Sequence, residues 1–307
     1  MVPDRIRPIL ARVLAGSKAL SRAVERGPHL MSGSENTWNS TMMPTGRRGQ
    51  ELRDAERRSS ARAVHRGEGM TCSDEWFQDY DDKFALKGDE TGEAEARFIK
   101  RVLHLRKGRS VLDIPCGAGR IAFHLARAGC KVTGVDLTPS YVRKARSRFR
   151  RESLPGKFLC RDMREIDFHN EFHAAFNWQG SFGIFSDEEN LEVLSRYATA
   201  LRPGGRVLID QPNREYILRH FRATRETGNV RSETVWNRKT ERIITSFSET
   251  RGRKSRRWHL SMRFYTPAQF RDLFRAAGLE VEAMYGGLDA RLYDRGSRRI
   301  HVVGRKA

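Results

Sequence analysis

Apolar and polar positions alternate most informatively between residues 109 and 138. A short apolar run at 110–114 predicts a strand, and a turn that contains two glycines follows it. Apolar residues then recur at helical spacing, and these are Ile121, Leu125 and Ala128. A second apolar run at 131–135 predicts another strand. The pattern therefore predicts one βαβ unit, whose ligand crevice lies at the carboxyl ends of its strands.

The chain continues this alternation on both sides of the βαβ unit. Helices are predicted at 92–105, 138–150, 186–201 and 266–277. Further strands are predicted at 157–160, 174–178, 207–210, 280–285 and 299–304. Two helices begin with capping-box residues, which are Ser186 with Glu189 and Thr266 with Gln269. Seven strands with interleaved helices indicate an α/β protein with a doubly wound, Rossmann-like sheet.

A β-rich segment at 211–265 interrupts the alternation after the fifth strand. Alternating apolar positions at 234–236, 242–250 and 257–265 predict antiparallel strands. The basic run at 251–257 predicts the turn between the last two of them. Because the segment follows the carboxyl end of a strand, we expect it to act as a substrate-binding insertion or lid at the crevice.

Residues 1–70 are a poor candidate for a folded domain. Ser, Gly and Arg are frequent there, and no hydrophobic periodicity is sustained. We expect a flexible basic extension at 1–70 and a folded domain at 71–307. The basic amphipathic pattern of 5–26 also resembles a mitochondrial transit segment, which remains an alternative interpretation of the extension.

The whole chain carries a formal net charge of +20. The extension contributes +6, from 13 Lys and Arg against 7 Asp and Glu, and 214–263 contributes +9, from 14 against 5. Such a surface suits nucleic acid, an anionic membrane or an acidic substrate, but an Arg-rich composition alone also produces it. No apolar run approaches the length of a membrane span, and the four cysteines form no C-x-x-C pair. These features predict a cytoplasmic protein without a metal or disulfide framework, and they assign no oligomeric state.

Two acidic residues flank the glycine turn of the βαβ unit. Gly117 and Gly119 allow a ligand to approach the backbone, and the free N–H groups at the helix start attract an anionic group. Asp136, at the end of the second strand, can accept hydrogen bonds from both hydroxyls of a ribose. Asp113 lies four residues before Gly117, where its charge would repel a pyrophosphate and attract an amino group. A nucleoside joined to an amino acid, as in S-adenosylmethionine, therefore fits better than NAD, although Ala122 completes a G-x-G-x-x-A pattern.

The run V-L-D-I-P-C-G-A-G-R resembles the first motif of the class I S-adenosylmethionine-dependent methyltransferases, which usually has glycine where this chain has Pro115. Proline is compatible with that position because it precedes the turn and no donor is needed there. The run L-R-P-G-G-R-V-L-I-D at 201–210 also resembles this family, and the resemblance extends from about residue 76 to the C-terminus. It implies S-adenosylmethionine as cofactor, an antiparallel last strand and a class I methyltransferase domain over 71–307.

The resemblance also implies further contacts with the cofactor. In the family an acidic residue after the third strand bonds the adenine amino group, and the next side chain packs on the ring; Asp162 and Met163 match these positions. Tyr80 matches an N-terminal aromatic segment that lies over the cofactor, although its spacing suits a core position equally. The predicted cofactor site is completed by residues at strand ends, namely Asp113, Pro115, Gly117, Gly119, Asp136, Leu137 and Asn177.

The predicted reaction is methyl transfer to a nitrogen or oxygen atom of a small molecule, with RNA or protein methylation through 214–263 as the alternative. The fourth strand ends in Asn177-Trp-Gln-Gly180 and not in the N-P-P-Y of nucleic-acid amino methyltransferases, which favours a small molecule. Titratable residues expected near the rim of the crevice, and so candidates for a general base, are Glu215, Tyr216, His220, His259 and Tyr265. None of them belongs to a motif, so no catalytic residue is assigned, and a cofactor-binding protein without chemistry remains a third hypothesis.

Overall fold

The computed structural model describes residues 89–251 and 254–307. Within this part of the chain, Ile217–Phe264 forms one compact unit, here called the insertion unit. The described residues before and after it form another, here called the Rossmann-like unit. The predicted extension and Tyr80 lie outside the described residues.

The described helices and strands are, in chain order, α1 (Asp89–Val102), β1 (Ser110–Asp113), α2 (Arg120–Arg127), β2 (Lys131–Asp136), α3 (Pro139–Arg151), β3 (Gly156–Cys160), β4 (Phe172–Asn177), α4 (Asp187–Ala200), β5 (Leu201–Pro212), α5 (Arg214–Arg219), β6 (Thr224–Thr227), β7 (Val230–Asn237), β8 (Arg242–Arg251), β9 (Lys254–Arg263), α6 (Pro267–Ala276), β10 (Leu279–Tyr285) and β11 (Arg299–Lys306). A short 3₁₀ helix, Met163–Glu165, lies between β3 and β4. No described helix offers an apolar stretch long enough to cross a bilayer.

The Rossmann-like unit is built on a seven-stranded sheet with the strand order β10-β11-β5-β4-β1-β2-β3. The strands from β5 to β3 in this order pair in parallel, and β11 is antiparallel to both of its neighbours. The predicted doubly wound sheet and its antiparallel last strand are therefore confirmed. Because the order reverses between β1 and β4, the ligand crevice opens at the carboxyl ends of these two strands.

Successive side chains of the central strands point to opposite faces of the sheet. Phe176 of β4 and Val303 of β11 belong to the hydrophobic core that also contains Phe98 of α1. The next residue of β4, Asn177, points to the other face and contacts Tyr197 of α4. The pleat thus determines which of the two helix layers each polar residue at a strand end faces.

Both predicted capping boxes are present. Ser186 Oγ accepts the Glu189 N–H at 3.1 Å, and a Glu189 carboxylate oxygen accepts the Ser186 N–H at 3.1 Å. Thr266 and Gln269 make the same reciprocal pair at the start of α6. Thr138 is the N-cap of α3, as predicted, but its side chain makes no capping hydrogen bond.

The fifth strand is longer than the sequence pattern predicts. The prediction placed a turn at R-P-G-G and began the strand at residue 207, whereas β5 covers Leu201–Pro212. The pairing of β4 with β5 shifts register between Phe172 and Ala174, so the extra residues form an irregularity within the ladder. Gly204 has a left-handed φ of +73° at this irregularity.

The insertion unit contains a four-stranded antiparallel sheet with the order β6-β7-β8-β9. The three predicted strands correspond to β7, β8 and β9, but β7 begins at Val230 and not at 234. The predicted turn at 251–257 is too long, because β8 continues to Arg251 and β9 begins at Lys254. The strand β6 has only exposed residues and no apolar alternation to reveal it. Directly paired residues share a face, so Trp236, Ile243 and Met262 form one buried row. Phe247 and Trp258 stack on the same face with ring centroids 5.4 Å apart.

Candidate functional site

The carboxyl ends of β1, β2 and β4 meet where the strand order of the sheet reverses. Asp113 ends β1, Asp136 ends β2 and Asn177 ends β4. In the ladder Asp113 lies opposite Gly134 of β2 and Phe176 of β4. Three predicted site residues that are far apart in the sequence are therefore brought to one edge of the sheet.

The turn after β1 has a left-handed backbone at both of its glycines. The φ angle is +53° at Gly117 and +75° at Gly119, a region that glycine occupies readily. A Cβ built on Gly119 would lie 3.1 Å from the Cβ of Ala145, so this glycine lets the start of α2 pack closely on α3. A Cβ built on Gly117 would meet no atom within 4 Å. Gly117 therefore borders open space, where a ligand can approach the backbone.

The carboxylate of Asp136 joins the glycine turn to the end of β2. Its Oδ2 accepts the Gly117 N–H at 2.8 Å, and its Oδ1 accepts the Thr138 N–H at 2.9 Å. A carboxylate oxygen can accept more than one hydrogen bond, so the carboxylate of Asp136 is the kind of acceptor that a pair of neighbouring hydroxyls requires. Leu137, the next residue, is an apolar side chain that is exposed at the same strand end.

Asp113 is buried in surroundings that disfavour its charge. Burial raises the pKa of its carboxyl well above the ordinary value of 3.8, and the charge of Asp136 raises it further. The charge of Arg120 and a hydrogen bond from the Ala122 N–H lower this pKa without reversing the shift. The ionised form of Asp113 would therefore be strongly stabilised by a cation, such as an amino group, placed against it.

An ion pair between α1 and α2 lies beside the glycine turn. Arg120 Nη2 is 2.5 Å from Glu95 Oε2, and the two side chains are 12% and 3% exposed. A Cβ built on Gly92 would lie 3.0 Å from Arg120 Cγ, so α1 approaches the arginine side chain closely. The sequence analysis does not identify this pair, because charged residues at these positions of amphipathic helices are usually solvent-exposed.

Asp162 and Met163, predicted to hold adenine, lie directly after β3. Asp162 Oδ1 accepts the Arg164 N–H at 2.8 Å, and Oδ2 is 2.7 Å from Arg164 Nη2. Burial raises the pKa of Asp162, but the hydrogen bonds and charge of Arg164 outweigh it, so that the pKa is lowered and the group stays an acceptor. Arg164 also pairs with Glu189 at 2.8 Å, a link that no sequence motif indicates. Met163 Sδ lies 3.7 Å from the Tyr197 hydroxyl.

Asn177 is fully buried and has one unused acceptor. Its Nδ2 donates to the Tyr197 hydroxyl at 3.2 Å, and that hydroxyl donates to the Ile114 carbonyl at 3.2 Å. Asn177 Oδ1 is buried and has no hydrogen-bond partner among the described residues. Because a buried acceptor without a partner is costly, this oxygen is a candidate to accept a hydrogen bond from a ligand.

The segment 178–185, here called the β4 loop, follows β4 at the same edge of the sheet. Gln211 Nε2, from β5, donates to the Phe182 carbonyl at 3.0 Å. Asn190 Oδ1, from α4, accepts the Gly183 N–H at 3.3 Å. The second half of the loop is thus fixed by side chains from two different elements.

The five titratable residues that the sequence analysis names as candidates for a general base are divided between the two units. The Rossmann-like unit contains Glu215, Tyr216 and Tyr265, and the insertion unit contains His220 and His259. Tyr265 is only 1% exposed; its hydroxyl donates to Asp187 Oδ1 at 2.7 Å and accepts from Asn190 Nδ2 at 3.0 Å. The phenol of Tyr265 therefore serves the packing of α4.

Comparison with known proteins identifies the family. Residues 111–205 match a family model described as a methyltransferase domain. The chain is 30% identical over 207 residues to the Cypemycin N-terminal methyltransferase of a Streptomyces species, a match that covers 64% of this chain and 82% of that protein. It is 29% identical over 167 residues to the Glycine/sarcosine N-methyltransferase of Parasynechococcus marenigrum, covering 51% and 57% of the two chains.

Solved structures show the same fold. An S-adenosylmethionine-dependent methyltransferase from Clostridium acetobutylicum aligns with a TM-score of 0.62 and 15% identity, over 76% of this chain and 98% of that one. Together with the sequence relatives, this result means that the chain belongs to the class I S-adenosylmethionine-dependent methyltransferases. It is a methyltransferase, and S-adenosylmethionine is its cofactor.

The residues at the strand ends suit this cofactor chemically. The desolvated carboxyl of Asp113 suits an amino group, and the carboxylate of Asp136, which lies against the glycine turn, suits the hydroxyls of a ribose. The open space beside Gly117 allows a ligand to approach the turn.

Gly117→Ala should weaken cofactor binding without unfolding the protein. A left-handed φ costs alanine about 1–2 kcal/mol, and the new Cβ would enter the open space beside the turn. We expect the Kd for S-adenosylhomocysteine, measured by isothermal titration, to rise at least about 30-fold, because the Cβ also displaces the ligand.

Gly108→Ala is the matched control. Gly108 has a φ of +84°, and a Cβ built there also meets no atom within 4 Å, but it precedes β1 at the opposite edge of the sheet. Both variants should lose a similar amount of thermal stability, and only Gly117→Ala should lose affinity. Equal Kd values for the two variants would contradict the placement of the cofactor at this turn.

Proposed function

We propose that this methyltransferase transfers a methyl group to a nitrogen atom of a small-molecule amine. The observation that carries the proposal is the arrangement around the carboxyl ends of β1 and β4, where the strand order of the sheet reverses. Two carboxylates, Asp113 and Asp136, lie on the β1–β2 side of this point, and the fixed β4 loop lies on its other side.

In this proposal the two carboxylates hold different parts of the cofactor. Asp136 accepts the ribose hydroxyls, and Asp113 pairs with the amino group of the methionine portion, which Asn177 Oδ1 also bonds. Asp162 and Met163, which follow β3, take the adenine. The assignment is supported by the order β4-β1-β2-β3, because neighbouring strand ends then meet successive parts of one extended ligand.

The acceptor would approach from the side of β4. When bound, the cofactor supplies a methyl group that is already activated by its positively charged sulfur. The protein therefore has to align the acceptor with that methyl group and exclude water. Because the nucleoside would occupy the side of β2 and β3, the β4 loop is the element left to form the acceptor site.

We also propose that the insertion unit carries the choice of acceptor, within a methyltransferase domain over 71–307. The chain leaves the Rossmann-like unit after Tyr216, shortly beyond the carboxyl end of β5, and re-enters it at Tyr265. Loops that follow the carboxyl ends of strands are where α/β enzymes build their substrate sites.

A nitrogen acceptor requires less of this site than an oxygen acceptor does. A neutral amine needs positioning and desolvation, whereas a hydroxyl usually needs a general base. The hydroxyl of Tyr265, one candidate for such a base, is buried and donates to Asp187. Two relatives in the comparison are named as an N-terminal methyltransferase and an N-methyltransferase, which supports a nitrogen acceptor.

Matched acceptors test the proposal directly. The protein is incubated with S-adenosylmethionine and with pairs that differ only in the nucleophile, such as benzylamine with benzyl alcohol and glycine with glycolate. We expect methylated amines by mass spectrometry, formed faster as rising pH removes the proton of the amine, and no methylated alcohols. Methylation of the alcohol members alone would contradict a nitrogen acceptor.

The same assay separates a small molecule from RNA. Methylation of a small amine should proceed at a similar rate at about 50 and about 200 mM salt, because no phosphate contacts are involved. Methylation of RNA that slows steeply over this range would instead support the alternative function of the basic 214–263 segment.

A further inference from the structure

An ion pair between a buried carboxylate, Asp210, and a partly exposed arginine, Arg299, lies beside the start of the β4 loop. Asp210 of β5 is 1% exposed, and its two oxygens accept hydrogen bonds from Arg299 Nε and Nη2, each at 2.6 Å. His301 Nδ1 lies 3.1 Å from Asp210 Oδ1. Burial raises the pKa of Asp210, but the charge and hydrogen bonds of Arg299, together with a contribution from His301, outweigh burial and bring the pKa to about 2. Asp210 is therefore ionised throughout the neutral range.

Asp210 makes one more hydrogen bond, and that bond reaches the loop. Its Oδ2 accepts the Gln179 N–H at 2.7 Å. Gln179 has a left-handed φ of +65°, which is unfavourable for a residue with a side chain and persists only where the surroundings hold it. A Cβ built on the next residue, Gly180, would lie 3.1 Å from Pro212 Cδ and 3.5 Å from Arg299 Nη2. The loop thus packs directly against the ion pair.

An aromatic stack supports the same corner. The rings of Trp178, the first loop residue, and His301 lie nearly parallel at 8°, with centroids 5.1 Å apart. The ring of Phe98 of α1 packs against both of them, with its centroid 5.0 Å from that of His301 and 5.9 Å from that of Trp178. With Gln211 bonded to Phe182 further along, the β4 loop is held at its start and in its second half.

We propose that Asp210 is a positioning residue for methyl transfer. With Arg299 it holds Gln179 in the left-handed conformation and so fixes the β4 loop against which the acceptor is aligned. A buried ion pair adds little net stability compared with apolar side chains of the same size, so stability alone does not explain its position at this edge. The proposal rests on the proposed function, in which the acceptor approaches over the β4 loop.

Hydrogen exchange tests the first step without any acceptor. In Asp210→Asn the amide exchange of peptides covering 178–183 should accelerate at least about tenfold, because the side chain loses its charge and its new NH2 group faces an N–H donor of Arg299 whichever oxygen it replaces. Exchange in β1 and β2 and the Kd for S-adenosylhomocysteine should stay unchanged. Unchanged exchange in the loop would overturn the proposal.

Turnover tests the second step. Asp210→Asn should lower kcat about 10- to 100-fold, because a small misalignment of the reacting groups is enough for such a loss. Adding Gln179→Gly should restore part of kcat, since glycine adopts the left-handed φ without needing Asp210 to hold it. Faster loop exchange with an unchanged kcat would overturn the positioning role, and so would a parallel loss of S-adenosylhomocysteine affinity.

Glu282→Gln is the matched control variant. Glu282 makes a bidentate pair with Arg206, at 2.6 and 3.0 Å, which joins β10 to the middle of β5, before Asp210 in the same strand. This variant should leave loop exchange and kcat at the values of the unmodified protein. The exchange measurement needs no acceptor. If the acceptor proves to be a hydroxyl or RNA, the turnover measurement is made with that acceptor. Failure of the amine proposal is therefore distinguishable from failure of the loop proposal.

Discussion

Asp136→Asn should abolish measurable binding of S-adenosylhomocysteine while leaving most of the fold intact. The substitution keeps the volume of the side chain but turns one acceptor oxygen into a donor, which then faces the N–H of Gly117 or of Thr138. The hydrogen bonds to a ribose lose their charged partner at the same time. Two hydrogen bonds to a charged group are worth about 3–6 kcal/mol, so we expect the Kd to rise at least about 100-fold.

Isothermal titration with S-adenosylhomocysteine measures this loss, and a thermal melt checks that the variant is folded. Asp167→Asn is the control, because Asp167 is an exposed acid paired with Arg161 at 2.7 Å on the surface. It should bind as the unmodified protein does. A Kd for Asp136→Asn within about threefold of that value would refute the assignment of the ribose to Asp136, because one lost charged hydrogen bond alone exceeds this difference.

Asp113→Asn should have two opposite effects. It should weaken cofactor binding, and it should increase the stability of the protein without cofactor. The carboxylate of Asp113 is the proposed partner of the cofactor's amino group, and breaking such a charge pair costs about 2 kcal/mol or more, or about 30-fold in Kd. In the free protein the same carboxyl has a raised pKa, because of burial and the charge of Asp136. Ionising it therefore opposes folding.

The pH dependence of this stabilisation has a definite sign. A carboxyl whose pKa is raised on folding favours the folded state at low pH, and this contribution is lost as the pH rises from the ordinary value of 3.8 through the raised value. The melting temperature of Asp113→Asn should thus exceed that of the unmodified protein by a margin that grows from acidic to neutral pH. A margin that shrinks as the pH rises would contradict the raised pKa.

A truncated ligand separates the two carboxylates. Methylthioadenosine keeps the nucleoside but lacks the amino-acid portion, so Asp113→Asn should bind it as tightly as the unmodified protein does. Asp136→Asn should lose affinity for both ligands. If Asp113→Asn lost affinity for both ligands equally, its effect would be general and not a contact with the amino group.

The fold, and the meeting of Asp113, Asp136 and the glycine turn at one edge of the sheet, are largely predictable from the sequence. Their signals are local: the apolar runs set the strands, the glycines mark the turn after β1, and the capping boxes at Ser186 and Thr266 mark helix starts. Asp113 and Asp136 could be placed together because parallel strands present their carboxyl ends at one edge of the sheet. Among the described elements, β6 and the first part of β5 were not predicted because neither shows apolar alternation. The short helices at Met163–Glu165 and Arg214–Arg219 were not predicted either, because so few residues show no helical periodicity.

The contacts that hold the β4 loop could not be predicted in the same way. They join residues far apart in the chain, as when Asp210 bonds both Gln179 and Arg299. No spacing rule connects such positions, and a polar residue at the end of an apolar strand is the only local sign. The left-handed conformation of Gln179 could not be predicted from the sequence either, because glutamine normally avoids it.

The connection of the insertion unit to the rest of the chain suggests how enzymes of this build change their substrates. Gln211 Oε1 accepts the Tyr265 N–H at 2.8 Å, so the segments that leave and re-enter the Rossmann-like unit are bonded to each other. The segment between Tyr216 and Tyr265 can therefore be replaced by another without interrupting any of the seven strands of the Rossmann-like sheet. Under the proposed role of the insertion unit, grafting a different sheet between these points should change the acceptor and leave the strands that carry Asp113 and Asp136 in place.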